Sequence, residues 1–370
     1  MRIGIDCRLP AYQMGGISQY VLHLLPALAA LDAENAYTIL HSRRDRVTHL
    51  PPGAPNFRRA TLWTPCHHRL ERWALGGELL PHRLHLLHSP DFIPPAFGAR
   101  RRVITVHDLN FLYYPQFLTP ASRRYYLDQI AWAVRRADHV IADSHHTRHD
   151  LRERLGVPAQ KATTIHLAAN PLYTNPPTTA EVAATLVQYA LPASFLLFVG
   201  TLEPRKNVPT LLRAYHALRH AHGVDLPLVL VGGKGWLNEA VFATIEELDL
   251  QDAVRHLTGV PNQHLACLYA AAALLALPSF YEGFGLPALE AMHIGCPVIA
   301  SNRASLPEVV GNAGILLDPD DVDGWCEAMR RVVEDEECRQ SLIARGRQQA
   351  RKFTWTQTAA ATLNIYRTLT

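Results

Sequence analysis

The chain has 370 residues, of which 48% are hydrophobic and 19% are charged, and its formal net charge is +3. These values fit a folded protein with room for two domains, and they exclude a disordered or repetitive chain. The longest apolar run, residues 265–277, is too short to span a bilayer. Met1 leads straight into a predicted strand without a signal peptide, and six cysteines lack the spacing of a disulfide framework, so we expect reduced thiols in a cytoplasm.

Strands alternate with helices through the first half of the chain, which predicts a parallel sheet. The predicted strands cover residues 3–6, 37–41, 84–88, 103–106, 139–143 and 163–167, and the first helix covers residues 17–31. Gly15 and Gly16 lie between the first strand and that helix, where a backbone without side chains can approach a phosphate. A tight turn without a ligand is the alternative.

A histidine follows the predicted strand 103–106 directly. Open α/β sheets bind ligands at the carboxyl ends of their strands, so His107 is a candidate site residue. Asp108 after it can accept a hydrogen bond from a hydroxyl group or cap a turn. Asp91, after the strand 84–88, can contact an acceptor, although a turn-forming role is the commoner one for such an aspartate.

Histidines are also clustered in residues 144–150. His145 with His149, and His146 with Asp150, are four residues apart and would each share a helix face, which raises a metal-site hypothesis. Ser144 is instead a good N-cap for a helix that runs to residue 155, and solvated histidines in its first turns need no metal. We therefore predict no metal site.

A segment rich in proline and asparagine, residues 168–177, is the best candidate for a linker. Strand and helix alternation resumes after it and predicts a second parallel sheet. The predicted strands cover residues 195–199, 228–231, 254–257, 271–277, 297–300 and 315–317. The predicted helices include residues 208–220, 237–248, 262–270, 287–294, 306–310 and 356–369.

The segment 278–290 joins the predicted strand 271–277 to a helix that begins near Pro287. Gly283 and Gly285 let the backbone approach a bound group, and the helix start favours an anion such as phosphate. Glu282 and Glu290 would repel that anion, so we expect each carboxylate to accept hydrogen bonds from sugar hydroxyls instead. Sugar, phosphate and sugar together describe a nucleotide-sugar.

Two cations follow the predicted strand 195–199. Arg205 and Lys206 precede a helix that Asn207 can cap, on the same edge of the sheet as segment 278–290. This placement favours a diphosphate clamp over two solvated loop cations. The glycine-rich loop at Gly232 and the segment at Val260 also follow strands and can serve a phosphate or a base.

Positive charge is concentrated in the first half. Residues 1–175 contain 21 Lys and Arg against 13 Asp and Glu, whereas residues 176–370 contain 15 against 20, so the halves carry +8 and −5. Adjacent basic residues occur at Arg43-Arg44, Arg58-Arg59, Arg100-Arg101-Arg102, Arg123-Arg124 and Arg135-Arg136. They can meet an anionic membrane surface or a pyrophosphate-linked acceptor, or they can be solvated loops and helix ends; nucleic acid is disfavoured.

Residues 282–290, Glu-Gly-Phe-Gly-Leu-Pro-Ala-Leu-Glu, and residues 200–207, Gly-Thr-Leu-Glu-Pro-Arg-Lys-Asn, resemble the retaining glycosyltransferase family 4, most closely its mannosyltransferase B-like branch. The resemblance covers residues 1 to about 366. It implies an α/β GT-B fold: two Rossmann-like, doubly wound parallel-sheet domains that face an interdomain cleft. Residues 1–170 would form an acceptor-binding domain and residues 178–353 a nucleotide-sugar-binding domain, with a C-terminal helix, residues 356–370, crossing back to the first.

The resemblance also implies roles for particular residues. His107, Glu282, Arg205 and Lys206 match the catalytic positions, with His107 touching the donor sugar and Glu290 holding the ribose. The remaining donor-binding positions are Gly15, Gly16, Gly200, Thr201, Gly232, Val260, Gly283, Phe284, Gly285 and Leu286. Thr201 departs from the arginine that is common in the family at that position, and we expect Arg205 to supply the charge. Alanine at Glu282 or Lys206 should then abolish transfer without loss of folding.

The implied function is transfer of a hexose, with retention of configuration, to a saccharide or lipid-linked acceptor in cell-surface polysaccharide synthesis. The donor is GDP-mannose by branch resemblance alone, so a UDP-sugar stays open. No metal and no cofactor is expected, because cations replace a divalent ion. The rival functions are a nucleotide-sugar epimerase of the same fold, a dehydrogenase, which the missing Gly-x-Gly-x-x-Gly disfavours, and a lectin-like module. Attachment to the inner face of the membrane is an open expectation.

Overall fold

A computed structural model describes residues 1–12, 15–117 and 120–369. The chain divides into two compact units. The first is Met1–Ala168 together with the segment that begins at Thr354, and the second is Ala169–Phe353. Gln13 and Met14 of the predicted glycine loop, and Thr370 of the predicted last helix, lie outside the described residues.

The sheet of the first unit contains seven parallel strands in the order β3-β2-β1-β4-β5-β6-β7 within the described residues. The strands are β1 (Arg2–Asp6), β2 (Ala36–Ser42), β3 (Phe57–Leu62), β4 (Leu84–Ser89), β5 (Ala99–Val106), β6 (His139–Ala142) and β7 (Ala162–Thr164). The strand order reverses between β1 and β4, which are hydrogen-bonded neighbours. This reversal is the topological switch point at which doubly wound sheets bind ligands.

Helices connect these strands and bury one apolar face each. They are α1 (Gly16–Leu31), α2 (Glu71–Leu79), α3 (Asn110–Tyr113), α4 (Pro120–Arg136) and α5 (His145–Leu155). One core cluster lies under α2, with Leu62, Leu75 and Leu79 packed together. The last helix of the chain, Trp355–Thr368, belongs to this unit, and the hydroxyl group of its buried Tyr366 forms a hydrogen bond of 2.6 Å with the Nδ1 atom of His88.

The second unit has six parallel strands in the order β10-β9-β8-β11-β12-β13. They are β8 (Leu196–Val199), β9 (Leu228–Val231), β10 (Val254–Leu257), β11 (Leu274–Leu277), β12 (Val298–Ser301) and β13 (Ile315–Leu317). The helices are α6 (Thr179–Gln188), α7 (Val208–His222), α8 (Glu239–Glu247), α9 (Asn262–Ala271), α10 (Leu286–Ile294), α11 (Leu306–Val310), α12 (Val322–Glu334) and α13 (Glu336–Ala350), and the last helix of the chain becomes α14. Strands β8 and β11 are central neighbours.

The central strands are short apolar runs that are buried on both faces. All four residues of β8, β9 and β11 are buried, because helices cover a parallel sheet on either side. The predicted strand 271–277 begins later, at Leu274, because residues up to Ala271 continue α9. The elements that were not predicted from the sequence are β3, α2, α3, α4 and α6. Among the described residues, no helix is long and apolar enough to cross a membrane.

Candidate functional site

The loops that follow β8 and β11 meet at the switch point of the second sheet. Because β8 and β11 are adjacent, residues 200–207 and 278–285 leave the sheet side by side. The N–H group of Phe280 donates to the carbonyl oxygen of Arg205 at 2.8 Å, which ties the loops together. The two segments that the sequence analysis singled out therefore form one site.

Glu282 is the centre of this site. Its side chain is 9% exposed, and its Oε1 atom accepts hydrogen bonds from the Nζ atom of Lys206 at 2.6 Å and from the hydroxyl group of Ser279 at 2.7 Å. The guanidinium group of Arg205 donates to Oε2 at 3.1 Å and to the carbonyl oxygen of Tyr281 at 3.0 Å. Four donors thus hold the loop after β11, because the hydroxyl group of Ser305 also donates to the carbonyl oxygen of Glu282 at 2.8 Å.

The charges of this group depend on one another. Burial opposes ionisation of Glu282, but Lys206 and Arg205 outweigh it and lower the pKa of the carboxyl group to about 2. Burial, together with the neighbouring Arg205, lowers the pKa of Lys206, and the carboxylate of Glu282 opposes that shift. The carboxylate of Glu282 is therefore ionised at neutral pH, between two cations.

Both cations of the predicted diphosphate clamp have acidic partners in the structure. Besides its contact with Glu282, Arg205 forms an ion pair with Glu203, whose Oε1 atom lies 2.5 Å from the Nε atom. Two acids therefore balance the two cations before any ligand binds. Alanine at Glu282 or Lys206 would leave the other buried charge without its partner, so the expectation that these variants fold normally stays a prediction that this burial argues against.

Helix α10 begins directly at the glycine-rich part of the loop. Gly285 is its N-cap, with φ of 101°, and a Cβ atom there would lie 2.8 Å from the Cδ2 atom of Leu306. The positive φ therefore favours glycine at this position, whereas the contact is with a terminal methyl group that can shift. Leu286 is the first helical residue, and the start of a nine-residue helix supplies partial positive charge next to Gly283 and Phe284.

Glu290 lies one turn into α10 and is half-buried. Its Oε2 atom accepts a hydrogen bond from the hydroxyl group of Tyr269 at 3.1 Å. Burial raises the pKa of the Glu290 carboxyl group to about 8, and the hydrogen bond from Tyr269 lowers it by a smaller amount. The two glutamates therefore differ in protonation at neutral pH: Glu282 is ionised, and Glu290 holds a proton.

Glycines at the ends of β8 and β9 allow their loops to touch. A Cβ atom on Gly232 would lie 2.0 Å from the carbonyl oxygen of Gly200, so a side chain cannot be accommodated. Thr201 is exposed beside them. Val260 is half-buried and precedes the first turn of α9, on the loop that follows β10. All of these predicted residues lie after strands of the second sheet.

The predicted residues of the first unit lie at the carboxyl edge of its own sheet. Gly15 is the N-cap of α1 and Gly16 its first residue; a Cβ atom on Gly16 would meet no atom within 4 Å. His107 follows β5. Its Nδ1 atom lies 2.6 Å from Oδ2 of Asp143, and its Nε2 atom lies 2.7 Å from the carbonyl oxygen of Pro90.

Two acceptors on opposite sides favour a doubly protonated imidazole ring at His107. Burial lowers its pKa, but Asp143 outweighs burial and raises the value to about 9. His107 is therefore a half-buried cation held within the first unit, and a sugar hydroxyl would have to compete with Asp143 or Pro90 for its N–H groups. The role of His107 toward the donor stays a prediction.

Two features of the first unit were missed. Asp143, the partner of His107, follows β6, a position that the carboxyl-edge argument could have identified. Arg8 is buried between Asp6 and Glu71, and one of its guanidinium nitrogens lies 2.7 Å from Oδ2 of Asp6 and 2.6 Å from Oε1 of Glu71.

The predicted cap of α5 is confirmed, because the hydroxyl oxygen of Ser144 accepts a hydrogen bond from the N–H group of Thr147.

Comparisons with known proteins agree with this geometry. The family model for glycosyl transferases group 1 matches residues 190–349, and the model for glycosyltransferase family 4 matches residues 14–171. The O-antigen chain mannosyltransferase B of Escherichia coli is 36% identical over 304 residues, which are 82% of this chain and 78% of that protein. The serotype-specific mannosyltransferase WbdA of the same species is 32% identical over 65% of this chain and 30% of its own length.

Among solved structures, the sucrose-phosphate synthase of Thermosynechococcus elongatus has a TM-score of 0.78 and 24% identity, and the alignment covers 100% of this chain and 99% of that one. This likeness bears on the fold alone. Two doubly wound parallel sheets, the paired loops of the second sheet and the two family models agree with the resemblance found in the sequence. The chain belongs to glycosyltransferase family 4 and has the two-domain GT-B fold of that family.

Proposed function

We propose that this glycosyltransferase moves mannose from GDP-mannose to a saccharide or lipid-linked saccharide acceptor, with retention of configuration and without a metal ion. The observation that carries the proposal is the convergence of Lys206, Arg205 and Glu282 beside the start of α10. The similarity to two mannosyltransferases supports the choice of sugar. We place the reaction in the cytoplasm, at the inner face of the membrane.

The second unit would hold the donor. The diphosphate would lie against the start of α10 and the Lys206 ammonium group, where charge develops as the bond to the anomeric carbon breaks. Glu282 would meanwhile keep both cations oriented, because it contacts each of them in the structure. The sequence analysis expected Glu282 only to contact the hydroxyl groups of the sugar, whereas here it also orients Arg205 and Lys206. This second role explains why an acid can lie next to an anion-binding loop.

Glu290 would bind the ribose of the nucleotide. Its pKa near 8 means that the carboxyl group of Glu290 is protonated at neutral pH, so it both donates and accepts hydrogen bonds. Ribose hydroxyls that donate to Glu290 would favour the ionised form, so nucleotide binding would release a proton at neutral pH. Retention would follow from attack on the face of the sugar that the diphosphate leaves, with the departing phosphate accepting the proton of the acceptor hydroxyl.

The test is turnover with a panel of nucleotide-sugars in the presence of EDTA. GDP-mannose should give GDP in an amount that depends on added acceptor, and Lys206→Met should lower kcat at least about 100-fold. Lys352→Met, a matched change at an exposed lysine, should not. Release of UDP from a UDP-sugar, with none of GDP from GDP-mannose, would show that the donor is a UDP-sugar and not GDP-mannose. A changed nucleotide-sugar formed without acceptor would indicate an epimerase, and loss of activity in EDTA would refute independence of metal.

A further inference from the structure

Helix α2 has an apolar face on each side. Leu75 and Leu79 point into the core of the first unit, where they pack with Leu62. On the opposite side, residues at helical spacing are all exposed and none is charged: Leu70, Trp73, Ala74, Gly77 and Leu80. We call these five residues the outer face of α2. A second apolar face on a surface helix has no use in the core, so it indicates contact with something outside the chain.

The exposure of these side chains is unusually large. Leu70 is 62% exposed, Trp73 is 63% exposed and Leu80 is 59% exposed. Phe97 extends the patch, because its ring centroid lies 6.3 Å from that of Trp73. Single exposed apolar residues are common on proteins, but a contiguous aromatic and aliphatic patch on one helix is not.

Trp63 adds a second indole beside α2. It is 69% exposed, and its N–H group on the backbone donates to the carboxylate of Glu78 at 2.6 Å, which fixes its position against the helix. The guanidinium carbon of Arg43 lies 4.5 Å from the centre of the Trp63 ring. An arginine stacked on an exposed indole joins a positive charge to an apolar surface, as at the interfacial zone of a membrane.

The stretch of sequence that contains Trp63 and α2 exposes charge of one sign. Between residues 43 and 80, five arginines are exposed, whereas the three acids of that stretch are buried or half-buried. The exposed arginines are Arg43, Arg44, Arg46, Arg58 and Arg69. Glu78, the half-buried acid nearest Trp63, is held by N–H donors of Trp63 and Thr64, so its charge is locally satisfied.

We propose that the outer face of α2, with Trp63 and Phe97, inserts into the headgroup region of an anionic lipid bilayer while the five arginines contact lipid phosphates. A lipid surface fits better than a protein partner. It offers negative charge to every arginine at once and accommodates indole rings at the depth where their N–H groups stay hydrated. The inference rests on the proposed function for one point: a lipid-linked acceptor would lie in the same membrane surface that binds the enzyme.

The experiment is sedimentation of the full chain with vesicles of phosphatidylcholine alone, and of phosphatidylcholine with phosphatidylglycerol. We expect binding to the anionic vesicles that weakens with salt. The double variant Trp73→Asp, Leu80→Asp should lower the partition coefficient at least about tenfold, because it replaces inserted side chains with charges. Val187→Asp changes a side chain that is 81% exposed on the second unit and should leave binding unchanged.

Insertion has a separate readout. Lipids with brominated acyl chains should quench tryptophan fluorescence of the parent chain, and Trp63→Phe with Trp73→Phe should remove most of that quenching. Arg43→Gln with Arg69→Gln should weaken binding to anionic vesicles and flatten its salt dependence. The Trp73, Leu80 variant should keep its melting temperature and its turnover with a water-soluble acceptor, which shows that the change acts on lipid binding and not on folding or catalysis.

Several results would overturn the inference. These are equal binding by the parent and the Trp73, Leu80 variant, equal loss in Val187→Asp, or anionic-vesicle binding without quenching. A concentration-dependent dimer that the Trp73, Leu80 variant abolishes would assign the face to a second copy of the chain instead. Vesicle binding with no release of nucleoside diphosphate from any donor would refute the proposed function while the membrane inference stands.

Discussion

Replacing Lys206 with methionine removes one charge from the buried cluster and leaves Glu282 behind. Breaking a buried ion pair by removal of one partner costs about 3–5 kcal/mol. Arg205 at 3.1 Å and Ser279 at 2.7 Å still contact the carboxylate, so we place the loss at the lower end, about 3 kcal/mol. For a unit of this size, each kcal/mol shifts the melting temperature by about 2–4 °C, which gives a fall of about 6–12 °C.

A double-mutant cycle separates the ion pair from other effects. Lys206→Met and Glu282→Gln each leave a partner without its counter-charge, whereas the double variant removes both charges. The double variant should therefore lose less free energy of unfolding than the sum of the singles, by about 1–2 kcal/mol. Urea and thermal unfolding measure all four proteins, and the exposed Lys352→Met should change stability by less than about 0.5 kcal/mol. Additive single losses, or a Lys206→Met variant as stable as the parent, would refute the buried cluster.

Three further predictions concern other parts of the two sheets. The pKa of Glu290 is raised from 4.5 to about 8, so the native state keeps a proton that the unfolded chain releases, and stability falls as the pH rises through this window. Glu290→Gln should remove this pH dependence, which is worth at most about 5 kcal/mol, in melting curves at several pH values. The pKa of His107 is raised from 6.5 to about 9, so its protonation contributes stability that is complete below pH 6.5 and is lost as the pH rises through about 9. Asp143→Asn should lower the titration midpoint of His107 by about 2 pH units in NMR spectra, and an unchanged midpoint would contradict the pairing of the two residues. Gly232→Ala should cost about 3 kcal/mol because its Cβ atom would meet a carbonyl oxygen, whereas Gly233→Ala has open space and should be tolerated; equal unfolding curves would refute the close approach.

The strand and helix pattern was largely readable from the sequence, because apolar runs and caps are local. The predicted helix 306–310 and strand 315–317 agree with α11 and β13. Residues 278–290 could be identified as a ligand loop for the same reason, since glycine positions and the proline at the first turn are local signals. The positions of both glutamates relative to α10 followed from this loop.

Long-range pairing was not readable. Glu282 lies 76 residues from Lys206, and only the adjacency of β8 and β11 brings them together. The sequence shows the charges of Glu282, Arg205 and Lys206 but not the distances between them, so the acid and the two cations were given separate roles. The same holds for His107 and Asp143, which meet because β5 and β6 pair.

Helix α2 was missed for a different reason. Apolar residues occur on both of its faces, so its sequence lacks the single stripe that marks an amphipathic helix. Periodicity also assigns apolar residues to a core by default, and Leu70, Trp73 and Leu80 are exposed instead. Only the three-dimensional structure distinguishes the face that packs on the sheet from the face that meets solvent.

The most direct test of the central claim is calorimetric titration of GDP and GMP into the parent chain and Lys206→Met. If the loops after β8 and β11 bind a diphosphate, the parent should bind GDP at least about tenfold more tightly than GMP, since the terminal phosphate adds charge-assisted hydrogen bonds. Lys206→Met should bind the two nucleotides with nearly equal affinity. Equal affinities in the parent, or an undiminished preference for GDP in the variant, would contradict the account.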